Sequence, residues 1–335
     1  MKTPGCVLLP QPIQEEALQL LRDRGIEVIQ APDTEEKTIA PLVKKAGAVV
    51  LRTGIKMTGE LMEKADDLLT ISRTGAGFDN VDIKTATEKG IIVTSSIGVN
   101  TSSVVEHCLA MMLSLFKQLF LLDRELRKGN FKIRYKNYPH DLRNKYLGVI
   151  GFGRIGSLLA ENCSKLFNMK ILAHDPYLNE DQKEEYIGWV KFVEIEEIFR
   201  KSDIISVHIP LTDESRNLIN IKYFRLMKPY AFIINTSRGG VVNEEDLVQA
   251  LERGLIAGAG LDVFEKEPVE IDNPLLRMDK VILTPHCAAL TGECVVEMAL
   301  NSVERVIDLF DNYLPMNIAN PEVLKLEKWK NLKKK

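Results

Sequence analysis

The sequence lacks a strong net charge, because its 335 residues carry 44 lysines and arginines against 47 aspartates and glutamates. No field of one sign is therefore expected to steer the protein toward nucleic acid or an anionic membrane surface. The near-equal numbers of basic and acidic residues fit a small ligand bound in a local site better than a large charged partner. Only residues 325–335 depart from this balance, with six lysines against Glu327. They predict a frayed, solvated terminus, with a nucleic-acid contact as the lesser alternative.

Long uninterrupted apolar runs are also missing. The run at residues 6–9 ends at Pro10, well short of a signal-peptide core. A longer apolar stretch, residues 104–122, is interrupted by Glu106, Lys117 and other polar residues, so it predicts a buried helix rather than a membrane span. A cytoplasmic protein with no membrane partner is expected.

Cysteines are few and irregularly spaced. The five are odd in number and never form a C-x-x-C pair: Cys6, Cys108, Cys163, Cys287 and Cys294. This pattern argues against a disulfide framework and against a zinc site. No bound metal is expected.

Short apolar runs alternate with amphipathic, helix-like stretches. The first hundred residues contain strand candidates at residues 6–9, 26–29, 48–51, 68–72 and 91–93. A second series lies at residues 146–150, 170–173, 204–207, 232–235, 258–262 and 281–283. Alternation of strand and helix is typical of a parallel sheet covered on both faces. The sequence therefore predicts two doubly wound α/β units.

A glycine motif follows the strand candidate at residues 146–150. Gly151, Gly153 and Gly156 form a G-x-G-x-x-G that opens a helical pattern. Such glycines permit a tight turn, close approach of a pyrophosphate and close packing of helix on strand. The helix N-terminus then offers N–H groups to the phosphates.

An acidic residue stands where a dinucleotide site requires one. Asp175 follows the next strand candidate and lies 19 residues beyond Gly156 (175 minus 156). A carboxylate there can accept hydrogen bonds from the adenosine ribose hydroxyls, whereas a 2′-phosphate would bring like charge against it. NAD is therefore predicted in preference to NADP.

Three later segments begin at or just after the end of a strand candidate of the second series. They are residues 235–240, 261–268 and 284–289. Ligands of open parallel sheets bind outside the carboxyl ends of the strands. Arg238 in the first segment offers a planar fork of donors suited to a carboxylate.

In these motifs the chain closely resembles the D-isomer-specific 2-hydroxyacid dehydrogenases. G-F-G-R-I-G, N-T-S-R-G-G, L-D-V-F-E-K-E-P and T-P-H occur in the family's order, together with R-T-G-A-G-F-D-N-V-D at residues 73–82. The likeness spans roughly residues 45–312. It implies an NAD-dependent enzyme that interconverts a D-2-hydroxy acid and its 2-oxo acid. The substrate would be of the phosphoglycerate, hydroxypyruvate, glyoxylate or lactate type.

The resemblance implies a catalytic set of Arg238, Glu267 and His286. A histidine can take the hydroxyl proton during oxidation and return it during reduction. Glu267 would hydrogen-bond the far ring nitrogen and favour the imidazolium. Arg238 would bind the substrate carboxylate and polarise the neighbouring carbonyl.

Further contacts are implied by the same likeness. Expected substrate contacts are Arg52, Arg238 and the backbone N–H groups of Ala76 and Gly77. Expected cofactor contacts are Gly151, Gly153, Arg154, Ile155, Gly156, Asp175, Ile209, Pro210, Thr236, Ser237, Arg238, Asp262, His286 and Ala288, with Asp262 reaching the nicotinamide carboxamide.

The resemblance also implies a domain arrangement. A flavodoxin-like substrate domain would comprise residues 1–100 and 290–335, and a Rossmann NAD-binding domain residues 101–289, with the active site in the cleft between them. Residues 104–144 would form a dimerisation element, which predicts a homodimer.

Some alternatives stay open. An NAD(H)-sensing, co-repressor-like interaction protein could keep this fold without turnover, although the intact catalytic set argues against it. An enzyme of the same fold acting on phosphite is a second alternative. Related formate dehydrogenases carry glutamine where Glu267 stands, which disfavours formate.

Only about two dozen residues follow Asp311, so no C-terminal regulatory domain is expected.

Overall fold

The computed structural model describes residues 5–335. Residues 1–4, with which the predicted first domain begins, lie outside the described part. The chain divides into two compact units, residues 1–100 with 290–335 and residues 101–289.

The first hundred residues alternate strand and helix, as the hydrophobic pattern predicts. Their elements are β1 (Cys6–Leu9), α1 (Glu15–Asp23), β2 (Val28–Gln30), α2 (Glu36–Val43), β3 (Ala46–Leu51), α3 (Gly59–Glu63), β4 (Thr70–Arg73), α4 (Ile83–Glu88) and β5 (Ile92–Ser95). All neighbouring strands are parallel, in the order β2-β1-β3-β4-β5. This is the flavodoxin-like order.

The second unit follows the same principle with a larger sheet. Its elements are α5 (Thr101–Lys117), α6 (Leu119–Arg127), β6 (Tyr146–Ile150), α7 (Arg154–Phe167), β7 (Lys170–His174), α8 (Glu180–Glu184), β8 (Val190–Phe192), α9 (Ile195–Lys201), β9 (Ile204–Val207), α10 (Ile221–Phe224), β10 (Phe232–Asn235), α11 (Glu244–Glu252), β11 (Gly258–Leu261) and β12 (Val281–Leu283).

All seven strands of this second sheet are parallel, in the order β12-β11-β10-β9-β6-β7-β8. Counted from β6, this is the Rossmann order with one added edge strand. The order reverses at β6, and a crevice at such a switch point is where open α/β sheets bind ligands. The predicted fold class of two doubly wound parallel-sheet domains is confirmed.

Each face of the second sheet has its own apolar core, because successive strand residues point to opposite faces. Val149 packs with residues of α5 and α7. Its neighbour Ile150 packs on the other face with Ile198 and Phe199 of α9 and with Leu247 of α11. The double covering explains why the strands read as nearly continuous apolar runs.

The predicted single helix over residues 104–122 is wrong in one respect. It is two helices, because Gln118 adopts the left-handed conformation with φ of 53° and separates α5 from α6. α5 buries seven side chains, whereas α6 buries none. Among residues 5–335 no single helix is long and apolar enough to cross a membrane, and α5 and α6 pass that test only as a pair bent by 57°.

The last long helix, α12 (Gly292–Phe310), belongs to the first unit. Its Ala299, Val303 and Val306 pack with Leu21 of α1 on one face of the first sheet.

The lysine-rich C-terminal segment is ordered, which corrects the prediction of a frayed terminus. Trp329 is 5% exposed, and its indole Nε1–H donates to the Gly90 carbonyl at 2.9 Å. Val323 and Trp329 pack with Ile92 and Leu309. The lysines of this segment stay solvated, while burial of Trp329 and the hydrogen bond of its indole stabilise the docked segment.

Two thiols lie in the core between α5 and α7. Burial raises the pKa of Cys108 to about 11 and that of Cys163 to about 12. Both thiols are therefore protonated at pH 8, and only the thiolate is a good nucleophile. We expect iodoacetamide at pH 8 to leave both unmodified in the native protein and to alkylate both after unfolding, as measured by peptide mass spectrometry. Cys287, which is partly exposed, is the internal comparison.

Alkylation of Cys108 or Cys163 in the native protein at the rate of the unfolded chain would contradict this assignment of the core.

Candidate active site

The glycine motif forms a tight turn between β6 and α7. Gly151 has φ of +88°, and a Cβ there would lie 2.6 Å from the carbonyl oxygen of His208. A Cβ on Gly156 would lie 2.2 Å from the carbonyl oxygen of Gly151. Neither position accepts a side chain, because such approaches are far inside van der Waals contact.

The middle glycine leaves a space beside the turn. Apart from Gly153 and its neighbours in the chain, no heavy atom of the described residues lies within 4 Å of the position that a Cβ on Gly153 would occupy. Gly153 is also the N-cap of α7, whose first turn includes Arg154 and Ile155. First-turn N–H groups have no acceptor within their helix, and the helix dipole is positive at this end. This open cradle fits the pyrophosphate of a dinucleotide.

Asp175 is held directly against this turn. It follows β7, and its Oδ2 accepts the Phe152 N–H at 2.8 Å. Its Oδ1 accepts the Tyr177 N–H at 3.0 Å. A carboxylate oxygen has a second lone pair, so both can still accept a hydroxyl group. The cradle and this carboxylate together fit the diphosphate and ribose of NAD.

Replacement of Asp175 by alanine tests the ribose role. We expect the ratio of kcat/KM with NADH to that with NADPH to fall roughly tenfold or more, because a charged acceptor is lost and no like charge opposes a 2′-phosphate. Asp175→Asn is the matched control, since it keeps an acceptor oxygen near the Phe152 N–H but removes the charge. An unchanged ratio in both variants would count against the role.

The segment after β10 carries Thr236, Ser237 and Arg238. The buried side chain of Asn235 organises it, because its Nδ2 donates to the Arg238 carbonyl at 2.8 Å and its Oδ1 accepts the Ser237 N–H at 3.0 Å. The Arg238 guanidinium donates to the Ser237 carbonyl at 2.7 Å. No role was predicted for Asn235, although an amide can serve as donor and acceptor in such a turn.

The imidazole and the carboxylate predicted to act together are paired. His286 Nδ1 lies 2.7 Å from Glu267 Oε2, and both side chains are about one-third exposed. Glu267 Oε1 also accepts the Phe264 N–H at 3.1 Å. The pairing through Nδ1 leaves the other ring nitrogen, Nε2, for proton exchange with a bound molecule.

The charge state of Glu267 follows from its neighbours. Half-burial raises the pKa of this carboxyl, but hydrogen bonds from His286 and the Phe264 N–H outweigh it, together with the charges of His286 and Arg238. The net pKa of Glu267 therefore lies below its ordinary value. Glu267 is thus a carboxylate at neutral pH and can accept a hydrogen bond from the His286 ring.

The other residues predicted to contact the cofactor lie at the same edge of the second sheet. Ile209 and Pro210 follow β9, Asp262 follows β11, and Ala288 lies beyond β12. The Ala288 N–H donates to Asp262 Oδ2 at 2.9 Å. The carboxyl ends of parallel strands meet at one edge, which explains how distant segments come together.

The predicted substrate contacts of the first unit follow β3 and β4. Arg52 donates from its guanidinium to the Pro12 carbonyl at 2.7 Å. Ala76 and Gly77 lie in the loop after β4, beside the buried Arg73. Arg73 supports this region, since its Nε donates to Asn80 Oδ1 at 2.8 Å. The substrate roles of Arg52, Ala76 and Gly77 stay predictions.

The Rossmann-type sheet, its glycine turn and the acidic residue after β7 define a dinucleotide-binding protein. The model of the family described as "D-isomer specific 2-hydroxyacid dehydrogenase, NAD binding domain" matches residues 109–288. A D-3-phosphoglycerate dehydrogenase of Archaeoglobus fulgidus is 38% identical over 314 residues, which are 94% of this chain and 59% of that protein. A glyoxylate reductase of Korarchaeum cryptofilum is 37% identical over 300 residues, 89% of each chain.

A solved structure agrees with these sequence matches. The crystal structure of D-lactate dehydrogenase from Aquifex aeolicus, complexed with NAD and lactic acid, superposes with a TM-score of 0.82 at 31% identity and covers 96% of this chain and 98% of that one. The chain belongs to the D-isomer specific 2-hydroxyacid dehydrogenase family, which confirms the predicted resemblance and the NAD cofactor. It spans 54% to 62% of the length of three curated phosphoglycerate dehydrogenases that it matches.

Proposed function

We propose that the protein is an NAD-dependent oxidoreductase that interconverts a D-2-hydroxy acid and the corresponding 2-oxo acid. The observation that carries the proposal is the pairing of His286 Nδ1 with Glu267 Oε2 at 2.7 Å. This pair lies on loops after the strands of the sheet that carries the glycine turn. An acid–base group and a dinucleotide cradle on one sheet suit a reaction that moves a proton and a hydride.

The roles of the residues follow from their chemistry. NAD, when bound, supplies or accepts the hydride. During reduction, His286 donates a proton from Nε2 to the oxygen of the 2-oxo group, and during oxidation it accepts the proton back. The Glu267 carboxylate stabilises the imidazolium and keeps Nδ1 protonated. Arg238 binds the substrate carboxylate through its guanidinium fork and stabilises negative charge on the carbonyl oxygen.

In this proposal, separate groups of residues bind the pyrophosphate, the ribose and the rest of the cofactor. Backbone N–H groups of the glycine turn and the first turn of α7 bind the pyrophosphate. Asp175 accepts hydrogen bonds from the ribose hydroxyls. The other proposed contacts come from Ile209, Pro210, Thr236, Ser237, Arg238, Asp262, His286 and Ala288.

Similar proteins narrow the acids to be tested. The names of similar proteins include phosphoglycerate dehydrogenase, glyoxylate reductase, hydroxypyruvate reductase and D-lactate dehydrogenase. Purified protein would be assayed for oxidation of NADH with pyruvate, glyoxylate, hydroxypyruvate, phosphohydroxypyruvate and branched 2-oxo acids. Turnover of at least one acid is the expected result. If none of these acids is turned over and NADH still binds, the NAD(H)-sensing alternative would be favoured. Oxidation of phosphite by NAD would instead favour an enzyme of the same fold that acts on phosphite.

We also propose that the protein is a homodimer. Large apolar side chains are exposed on α6 and the 3₁₀ turn that follows it, including Leu119 (51%), Phe120 (64%) and Phe131 (59%). The 3₁₀ turn packs against α6, and large exposed apolar patches are typical of protein–protein interfaces. A cytoplasmic location stays a prediction.

A further inference from the structure

A histidine outside the proposed catalytic set lies within reach of the loop that carries His286. His107 is on α5, and its Nε2 lies 3.0 Å from the hydroxyl oxygen of Thr284. Its side chain is 22% exposed. His107 and Thr284 are 177 residues apart in the chain, so this contact forms only when the second unit folds.

The direction of the hydrogen bond from Thr284 to Asp262 determines which atom donates in the contact between His107 and Thr284. Thr284 Oγ1 lies 2.5 Å from Oδ1 of Asp262 and donates its single hydrogen to that carboxylate. A hydroxyl oxygen that has donated its hydrogen can only accept from another neighbour. His107 must therefore present a protonated Nε2 to Thr284. The result is a chain of donors that ends on a carboxylate.

That carboxylate is buried and fixes the loop of residues 284–288. The side chain of Asp262 is 1% exposed. Its Oδ1 accepts the Cys287 N–H at 2.8 Å, and its Oδ2 accepts the Ala288 N–H at 2.9 Å. The backbone carbonyl of Asp262 accepts the His286 N–H at 2.7 Å. A buried carboxylate requires such donors, because its desolvation is otherwise costly.

The loop has a conformation that needs this support. His286 has φ of 51°, in the left-handed region that residues other than glycine rarely occupy. Such a backbone persists only where its surroundings impose it. The N–H groups of residues 286–288, all bound to Asp262, supply that constraint.

We propose that His107 is a positioning residue for the reaction: by donating through Thr284 to Asp262, it keeps residues 284–288 in the conformation that presents His286. The proposal rests on the proposed function, because it is there that His286 receives the proton-transfer role. His107 itself touches no reacting atom in this scheme. Its contribution is the orientation of the carboxylate that holds the loop.

Paired substitutions separate donation from packing. His107→Phe and Thr284→Val remove a donor, whereas His107→Gln and Thr284→Ser keep an N–H or a hydroxyl group at the same place. His140→Phe, on the exposed segment before β6, is the matched control for loss of an imidazole. Two measurements apply to all five variants: hydrogen exchange of the amides of residues 286–288, and kcat and KM with NADH and a 2-oxo acid.

We expect His107→Phe and Thr284→Val to speed exchange of these amides about tenfold, as for loss of one hydrogen bond. We expect kcat to fall roughly ten- to a hundredfold, as for a misplaced catalytic group, with a smaller change in KM. His107→Gln, Thr284→Ser and His140→Phe should stay close to the wild type in both measurements.

Wild-type exchange and kcat in His107→Phe would overturn the proposal. It would also be overturned if His107→Gln were impaired as severely as His107→Phe, because ring packing rather than donation would then be responsible. If the wild-type protein turns over no 2-oxo acid, the proposed function fails. The exchange comparison needs no turnover and still decides whether His107 orders the loop.

Discussion

Substitution of His286 by alanine is expected to lower kcat about a hundredfold or more. Removal of a general acid and base costs this much, because the proton must then come from water. The loss should appear in both directions of the reaction, since the same imidazole donates the proton in reduction and accepts it in oxidation. Steady-state kcat with NADH and an acid from the substrate panel measures the effect.

The controls for His286 distinguish chemistry from folding. The melting temperature and the Kd for NADH show whether the variant remains folded and able to bind the dinucleotide. Glu267→Gln is the partner variant, and it should retain more activity, because His286 Nε2 is still present although the carboxylate at 2.7 Å from Nδ1 is lost. If His286→Ala kept the wild-type kcat and pH–rate profile, the assignment of the acid–base role would be wrong.

The second large effect is expected from Arg238→Gln. The variant should lose kcat/KM for the 2-oxo acid on the order of a hundred- to a thousandfold, as for removal of a donor aimed at developing negative charge. The guanidinium also binds the substrate carboxylate in this proposal, so KM for the acid should rise while kcat falls. Kinetics with varied acid at saturating NADH give both constants.

Arg238→Lys is the matched control for Arg238→Gln. It keeps the positive charge but replaces the planar fork with a single ammonium group. We expect an intermediate loss, which separates charge from bidentate geometry. A separate Kd for NADH is needed, because Arg238 is also a proposed cofactor contact. Loss of NADH affinity with an unchanged kcat/KM for the acid would contradict the substrate role.

Much of the fold could be predicted because parallel strands buried on both faces are apolar throughout. Every strand candidate corresponds to an observed strand within a few residues. The strand that the pattern missed is β8 (Val190–Phe192). It is three residues long, with Lys191 between two apolar residues, and pairs with β7 at the edge of the sheet. A short edge strand contributes little to the hydrophobic pattern.

Two features of the fold could not be predicted from local sequence patterns: the break between α5 and α6, and the docking of the C-terminal segment. The break between α5 and α6 at Gln118 is a left-handed backbone conformation, and glutamine is not a residue that signals one. The docking of the C-terminal segment depends on the place where Trp329 is buried and on the Gly90 carbonyl that its indole binds. Both are long-range contacts that local pattern does not encode.

In the candidate site, too, some features follow from local sequence patterns and others from long-range contacts. The spacing from Gly151 to Gly156 and on to Asp175 predicts the dinucleotide cradle, because a turn, a helix N-terminus and a strand end are local features. The hydrogen bond from the Phe152 N–H to Asp175 depends on the pairing of β6 with β7. The contact of His107 with the Thr284 hydroxyl, which itself donates to Asp262, depends on the packing of α5 on the sheet.

Local sequence patterns predict the alternation of strands and helices, the glycine turn and the acid that follows β7. The family resemblance adds the residues expected to carry a proton. Folding of the second unit pairs His286 Nδ1 with Glu267, binds the N–H groups of residues 286–288 to Asp262 and brings His107 within 3.0 Å of the Thr284 hydroxyl. The physical reason is distance along the chain. Hydrophobic period and turn chemistry act over a few residues, whereas these hydrogen bonds form only after the sheet has brought the ends of separate strands, and the helix packed on them, together.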